Sequence, residues 1–152
     1  MARVDSVNEM TPGERNQFMI ARIRSADAPD PYREGAYVLR VLTVPGRVTG
    51  EPRSWPIAVV QQGGQHYLCA PNRRRDWVRN LIKAGWCTLE GDDPARQTAT
   101  LGEDDAAAQA VSVYLGALGR ASPEWPFPYD AAAATIRQHL TEIAVFRLTP
   151  ER

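Results

Sequence analysis

One short connection, GRVTGEPRSWP, carries residue types suited to binding an anion, and it joins two β-branched runs, YVLRVLTV and IAVV. Gly46 and Gly50 allow the backbone to approach a ligand closely, and Thr49 supplies a hydroxyl donor. Arg47 and Arg53 carry planar guanidinium groups that match phosphate or carboxylate oxygens. The segment therefore predicts either an anion-binding loop or a solvated connection with two surface arginines.

A second basic segment, PNRRRDWVRN, lies at a predicted strand-to-helix junction. The first N–H groups of a helix have no intrahelical partner and attract anions, so the run Arg73 to Arg75 is well placed to bind one. Trp77 and Asn80 are three residues apart and share one helix face, where an aromatic plane beside an amide suits a flat heterocycle. The alternative is that Trp77 belongs to the core and the arginines are solvated.

The charge distribution favours a local anionic ligand. Seven basic and two acidic residues lie between Arg47 and Lys83, although the net charge of the whole chain is zero. A basic segment within a neutral protein is not the general coat of positive charge that nucleic acids require. We therefore expect a small-molecule cofactor and substrate as partners, and no nucleic acid.

Length and composition indicate one cytoplasmic domain. The 152 residues contain no apolar run of the roughly 20 residues that span a bilayer, and the start MARVDSVNEM lacks the apolar core of a signal peptide. Cys69 and Cys87 have no second cysteine or histidine at metal-ligand spacing. We expect both to be reduced, buried thiols, and we expect no metal site.

The elements that must position these residues follow from capping signals and periodicity. Thr11-Pro12-Gly13-Glu14 is a capping box with proline at the first helical position, and it predicts a helix to about Ser25. The rest of the chain predicts, in order, strands AYVLRVLTV, SWPIAVVQQ and QHYLCA, a helix in NRRRDWVRNLIKAG, strands WCTLEG and RQTATL, helices EDDAAAQAVSVYLGAL and AAAATIRQHL, and a last strand IAVFRL. Asp130 is the predicted N-cap of the last helix.

Six strands joined largely by antiparallel connections predict an α+β fold, a small antiparallel β-barrel with peripheral helices, and not a doubly wound sheet. We assign residues 1–152 to this single domain, with residues 1–34 as an N-terminal extension of helix and loop.

Together the two basic segments resemble the deazaflavin-dependent nitroreductases and related oxidoreductases that use coenzyme F-420. That family carries a Gly-Arg-x-Thr/Ser-Gly-x-x-Arg pattern, here Gly46 to Arg53. A proline-marked strand, a YLCAP-like strand and a Trp-x-x-Asn-Leu helix follow it, here Pro56, Tyr67 to Pro71 and Trp77 to Leu81. The resemblance covers roughly Gly35 to Gly91 and extends to the ending IAVFRLTP.

The resemblance implies a split β-barrel related to the FMN-binding, pyridoxamine-phosphate-oxidase-like proteins, and a homodimer paired through the sheet. It places the phosphate and glutamate tail of the coenzyme on Arg47, Thr49, Gly50 and Arg53, with Arg73 and Arg74 as further tail contacts. It places the ring near Pro56, Ile57, Ala70, Pro71, Asn72, Trp77 and Asn80.

The implied activity is hydride transfer between the reduced deazaflavin and a small quinone-like or unsaturated acceptor. Nitroreducing members have a serine and a lysine where this chain has Pro71 and Asn72, so nitro substrates are not carried over. The aromatic loop PEWPFPYD would cover the ring with Tyr129 as proton donor, or it would fill the barrel mouth. The alternatives are an FMN-binding oxidoreductase on the same barrel and a non-enzymatic cofactor-binding or interaction module.

Overall fold

The computed structural model describes residues 9–152, and their helices and strands follow the predicted order. The bounds are α1 Pro12–Arg24, β1 Ala36–Pro45, β2 Pro52–Gln62, β3 Gln65–Ala70, α2 Asp76–Ala84, β4 Trp86–Leu89, β5 Arg96–Leu101, α3 Asp105–Leu118, α4 Ala133–Arg137 and β6 Ala144–Pro150.

The six strands form a closed barrel in the order β1-β2-β3-β6-β5-β4, and every neighbouring pair is antiparallel. Successive side chains alternate between the interior and the outer surface, so Val59 and Leu68 join an interior cluster while Val60 and Cys69 join an outer one. The predicted α+β barrel of six antiparallel strands with peripheral helices is confirmed.

The barrel has one long hairpin and two short seams. Ten residue pairs join β1 to β2, whereas β2 pairs with β3 at only three positions and β1 pairs with β4 at only two. The pairing of β2 with β3 ends at Val60–Tyr67, and from there toward Pro52 the two strands separate. Pro56 has no N–H to donate to a ladder, and prolines within strands occur at edges. The sequence of β2 therefore suits a strand with one open side.

The interior cluster is closed by α2. Trp77, Val78 and Leu81 lie on one face of this helix, and all three are buried against interior residues such as Leu42 and Phe146. The helix ends at Gly85, which takes the left-handed conformation at φ 73° and donates its N–H to Leu81 O, as predicted for a glycine C-cap. The core interpretation of Trp77 is thus confirmed, with 5% of its surface exposed.

The outer cluster packs α3 and α4 on the sheet, with Trp125 and Phe127 of the aromatic loop buried beside them. Asp104 caps α3 by accepting a 2.9 Å hydrogen bond from Ala107 N. The prediction of Asp130 as the N-cap of α4 is wrong: the N-cap is Ala132, which makes no side-chain capping bond. Packing against α3, and not a cap, holds this short helix.

The N-terminal helix α1 lies on β1 and β2. Its predicted capping box is confirmed, since Thr11 Oγ1 accepts from Glu14 N at 3.1 Å and Glu14 Oε1 accepts from Thr11 N at 3.3 Å. Ile20 is its one buried residue. The division of the chain into a barrel and a 1–34 extension stays a prediction.

Both cysteines are buried and unpaired, as expected. None of the helices within residues 9–152 has the length and apolar character needed to cross a lipid bilayer.

Candidate functional site

The loop between β1 and β2 is closed by its own backbone. Gly46 N donates to Glu51 O at 2.8 Å, and Gly50 N donates to Gly46 O at 2.9 Å. A Cβ at Gly46 would lie 3.2 Å from Glu51 O and 3.5 Å from Arg53 Nε, so glycine lets the Arg53 side chain lie across this position. Gly50 has φ +79°, a conformation that favours glycine.

Asn80 of α2 binds this loop through hydrogen bonds to Arg47. Its Oδ1 accepts from the Arg47 backbone N at 3.1 Å and from Arg47 Nη1 at 2.8 Å, and the residue is 2% exposed. Lys83 Nζ donates to Arg47 O at 2.6 Å, and Arg47 Nη2 lies 3.3 Å from Asp76 Oδ1. The Trp-x-x-Asn spacing therefore joins the two basic segments, because it buries the tryptophan and presents the amide to the loop.

A polar cavity of about 540 Å³ opens between this loop and α2. Thr49 and Arg53 lie on its wall with Arg47 and Asn80. The guanidinium of Arg47 is engaged with an amide and a carboxylate, whereas no carboxylate within residues 9–152 pairs with Arg53. Arg53 therefore carries the uncompensated positive charge of this cavity.

A second cavity, of about 380 Å³, follows the open side of β2. Four consecutive β2 residues, Trp55 to Ala58, line it, so the strand edge itself faces the space. The edge of a strand presents backbone donors and acceptors that a planar heterocycle with amide-like groups can pair with. Its other walls are formed by Asn16, Cys69, Arg75, Asp76, Trp77 and Tyr114.

The two cavities meet, because Trp55 and Asp76 line both of them. We refer to the first as the polar cavity and to the second as the ring cavity, and to the pair as the cleft. One end of the cleft carries the arginines of the loop, and the other combines aromatic side chains with the polar groups of Asn16, Arg75 and Asp76.

Seven of the residues that the resemblance assigned to the coenzyme site line the cleft. Arg47, Thr49, Arg53 and Asn80 are in the polar cavity, and Pro56, Ile57 and Trp77 are in the ring cavity. Gly50 shapes the loop without lining either cavity. The role of each in binding stays a prediction.

The resemblance implies that Arg73 and Arg74, at the strand-to-helix junction, contact the coenzyme tail, but neither residue lines the cleft. Arg73 is turned away from the cleft, with Nε donating to Ile143 O at 2.7 Å and Nη2 to Leu140 O at 2.9 Å. Its guanidinium satisfies carbonyl groups that follow α4, and it also pairs with Glu103 at 3.0 Å. These bonds give Arg73 a structural role.

Ala70, Pro71, Asn72 and Arg74 also lie outside both cavities. Asn72 Oδ1 accepts from Arg74 N at 2.9 Å, which closes a turn, and the side chain of Arg74 is exposed. Ala70 pairs with Ala144 of β6 and is fully buried, and the adjacent Pro71 is also buried. Tyr129 packs partly buried against the outer cluster and lines neither cavity.

Sequence reasoning assigned no site role to several residues that line the cleft, among them Asn16 and Gln17 from α1 and Tyr114 from α3. It included Arg75 in the anion-binding run Arg73 to Arg75 but not among the coenzyme contacts. Arg75 is the N-cap residue of α2, and this position directs it toward the ring cavity while Arg73 and Arg74 point elsewhere. The helical periodicity of α3 gives no signal for Tyr114, because an aromatic residue on an alanine-rich helix indicates a core residue.

Burial raises the pKa of two groups in the ring cavity wall, Cys69 and Tyr114. It raises the pKa of the Cys69 thiol to about 12, so this sulfur is a neutral wall group and not a thiolate nucleophile. It also raises the pKa of Tyr114, while the positive charge of Arg75 acts in the opposite direction. The Tyr114 hydroxyl therefore keeps its proton at neutral pH.

Comparison with known proteins gives the following. No protein-family model and no curated protein matches the chain. Among solved structures, it is similar to a heme-binding protein from Mycobacterium smegmatis, with 19% identity, a TM-score of 0.46 and coverage of 97% of this chain and 52% of that one. The chain thus spans about half the length of that protein.

Two further structures are similar at 12% identity and a TM-score of 0.47. General Stress Protein 26 from Bacillus anthracis strain Sterne is matched over 88% of both chains. An F420 reductase is matched over 82% of this chain and 97% of that one. The fold assignment itself stands on the strand order and register described above.

Proposed function

We propose that this protein is an F-420-dependent oxidoreductase that transfers a hydride between the reduced deazaflavin and a small quinone-like or unsaturated acceptor. The observation that carries the proposal is the junction of the cationic polar cavity with the aromatic ring cavity at Trp55 and Asp76. A molecule with a long polyanionic tail and a flat ring requires these two environments side by side.

The residues present fit such a coenzyme. Arg53, with no acidic partner among residues 9–152, would bind the phosphate or glutamate tail, and Thr49 and Arg47 would contribute donors beside it. The open edge of β2 would face the pyrimidine side of the ring, and Trp77 would supply an apolar wall. The loop is held on α2 before any ligand arrives, which lowers the entropic cost of binding.

The bound deazaflavin would supply the hydride chemistry, and the protein would position the ring and leave one face open to the acceptor. No nucleophilic side chain is required, which agrees with the neutral Cys69 thiol in the wall. The aromatic side chains of Trp55, Trp77 and Tyr114 in the ring cavity wall favour a flat, conjugated acceptor.

A titration of the purified protein tests this proposal. We expect F-420 to bind, with quenching of the fluorescence of Trp55 and Trp77 and of the coenzyme, and reduced F-420 to be oxidised when a quinone is added. FMN and hemin are titrated in parallel under the same conditions. Binding of FMN alone would replace F-420 with the flavin alternative. Binding of F-420 without oxidation by any acceptor of a broad panel would favour the non-enzymatic module.

A further inference from the structure

Tyr114 is the one tyrosine found in the ring cavity wall, within the part of the chain that the structure describes. Its ring is fixed by an edge contact with Tyr37 at 5.7 Å between centroids and by a tilted contact with Trp125 at 6.4 Å. No residue between 9 and 152 forms a hydrogen bond with its hydroxyl. A phenol held rigidly at a cavity wall, with its polar atom left for a ligand, is arranged as a donor.

Arg75 lines the same cavity as this phenol. Its Nη2 is 2.8 Å from Glu124 Oε2, so the guanidinium is fixed between the entrance of α2 and the aromatic loop. Burial raises the pKa of Tyr114, and the positive charge of Arg75 is a smaller effect in the opposite direction. The wall of the ring cavity therefore carries a neutral donor, Tyr114, and a cation, Arg75.

On the basis of the proposed function, we propose that the Tyr114 hydroxyl donates a hydrogen bond, and then its proton, to the carbonyl oxygen of a conjugated acceptor held in the ring cavity. Arg75 is the positioning residue, which stabilises the negative charge left on the phenol. The acceptor class that follows is a planar quinone or enone whose oxygen reaches Tyr114.

The proton balance follows from the chemistry of such acceptors. The coenzyme, when bound, would supply a hydride that forms a C–H bond on a carbon of the acceptor, and the acceptor's π electrons would then move onto its carbonyl oxygen. The O–H bond of Tyr114 breaks as a new O–H bond forms on that oxygen, and the tyrosinate recovers a proton from water. The deazaflavin is oxidised and the acceptor is reduced, with no further reactant.

Tyr129, the donor expected from the sequence, is less suited to this role. It packs against the outer cluster and does not line the ring cavity. The aromatic loop acts instead through Trp125, which contacts Tyr114, and through Glu124, which holds Arg75. The loop thus supports the donor and does not supply it.

The Tyr114→Phe variant tests the proposal, with Tyr67→Phe as the matched control because Tyr67 lines neither cavity. Affinity for 1,4-naphthoquinone is measured on the coenzyme-free protein by tryptophan quenching, and coenzyme affinity is measured separately. We expect the quinone dissociation constant to rise about 3- to 10-fold and kcat for quinone reduction to fall about 100-fold. The F-420 dissociation constant should stay within about twofold, and Tyr67→Phe should change none of these quantities.

Arg75 is tested by conservative rescue. Arg75→Gln should lower kcat about tenfold with little change in quinone affinity, and Arg75→Lys should restore most of the loss. Glu124→Gln removes the ion pair but keeps the Arg75 cation. It therefore distinguishes the effect of the Arg75 charge from the effect of its contact with the aromatic loop.

An unchanged quinone affinity and rate in Tyr114→Phe would overturn the assignment, as would the same losses in Tyr129→Phe with Tyr114→Phe unaffected. Failure of wild-type protein to bind F-420 would contradict the proposed function instead. The quinone affinity of the coenzyme-free variants would still test the hydrogen bond, so the two failures are distinguishable.

Discussion

Arg47 and Arg53 lie in the same short loop but differ in what their charges face. The guanidinium of Arg47 is bound to Asn80 and lies near Asp76, so much of its charge is compensated within the protein. Arg53 has no acidic partner among residues 9–152, and its exposed side chain lines the polar cavity. Arg47 therefore holds the loop in place, and Arg53 is the side chain available to an anionic ligand.

We expect Arg53→Ala to weaken F-420 binding by about 1–3 kcal/mol, the range for a charge-assisted hydrogen bond. Isothermal titration calorimetry or coenzyme fluorescence measures the change. Arg79→Ala is the matched control, because Arg79 is an exposed arginine of α2 that lines neither cavity. Equal losses in both variants would indicate a general electrostatic effect and not a contact with the tail.

At the scale of elements, the short seam between β2 and β3 decides where the ring cavity opens. The hairpin turn at Gly63 and Gly64 confirms the turn expected from the sequence, with φ values of 62° and 73°. Glu34, from the loop before β1, accepts hydrogen bonds from both glycine N–H groups, at 2.9 Å from Gly64 N. The pairing of β2 with β3, which ends at Val60, is therefore held at the turn by the Glu34 carboxylate.

Because of these hydrogen bonds, we expect the stability of the β2–β3 turn to depend on pH. The Gly64 and Gly63 N–H groups lower the pKa of Glu34 below its ordinary value of 4.5. Stability from this contact is therefore complete above that value and is lost as pH falls through the lower, folded-state pKa. We expect Glu34→Gln to lower the Tm near neutral pH and to match wild type once the pH is below the folded-state pKa of Glu34.

Differential scanning calorimetry across this range measures the effect. Glu51→Gln serves as the control, since the Glu51 carboxylate forms no hydrogen bond or ion pair with any residue between 9 and 152. A constant Tm difference between Glu34→Gln and wild type at every pH would show that the carboxylate charge is not responsible.

At the scale of the whole molecule, a buried polar cluster connects segments that are distant in sequence. Arg40 of β1 donates to Asp92 Oδ1 at 3.0 Å and to Asp30 O at 2.6 Å, and the Tyr32 hydroxyl donates to Asp92 Oδ2. The side chains of Arg40 and Asp92 are 4% and 12% exposed. This cluster holds the loop after α1 on the β4–β5 turn, so it also fixes the helix that contributes Asn16 to the cleft.

Asp92→Ala should destabilise the protein by about 3–5 kcal/mol in urea unfolding, because it leaves Arg40 as an unpaired buried cation. Arg24→Ala removes an exposed ion pair with Glu90, at 52% and 48% side-chain exposure, and should change the free energy of unfolding little. Comparable losses in the two variants would show that the Arg40–Asp92 pair is already well solvated.

The sequence by itself determined the local structure and part of the cleft. The capping box of α1, the glycines of the β2–β3 turn and the C-cap at Gly85 follow from backbone chemistry within a few residues, so their positions could be predicted. The two basic segments could be identified because loop glycines, arginines and the Trp-x-x-Asn spacing are visible along the chain.

Only the tertiary structure decided which of these side chains share a space. Arg73 and Arg75 are two residues apart, yet carbonyls after α4 hold the first and the ring cavity receives the second. Tyr114 reaches the cavity because α3 packs across the outer surface of β2, and no spacing in the sequence records that contact. Such placements depend on packing between segments tens of residues apart, where burial and geometry override local patterns.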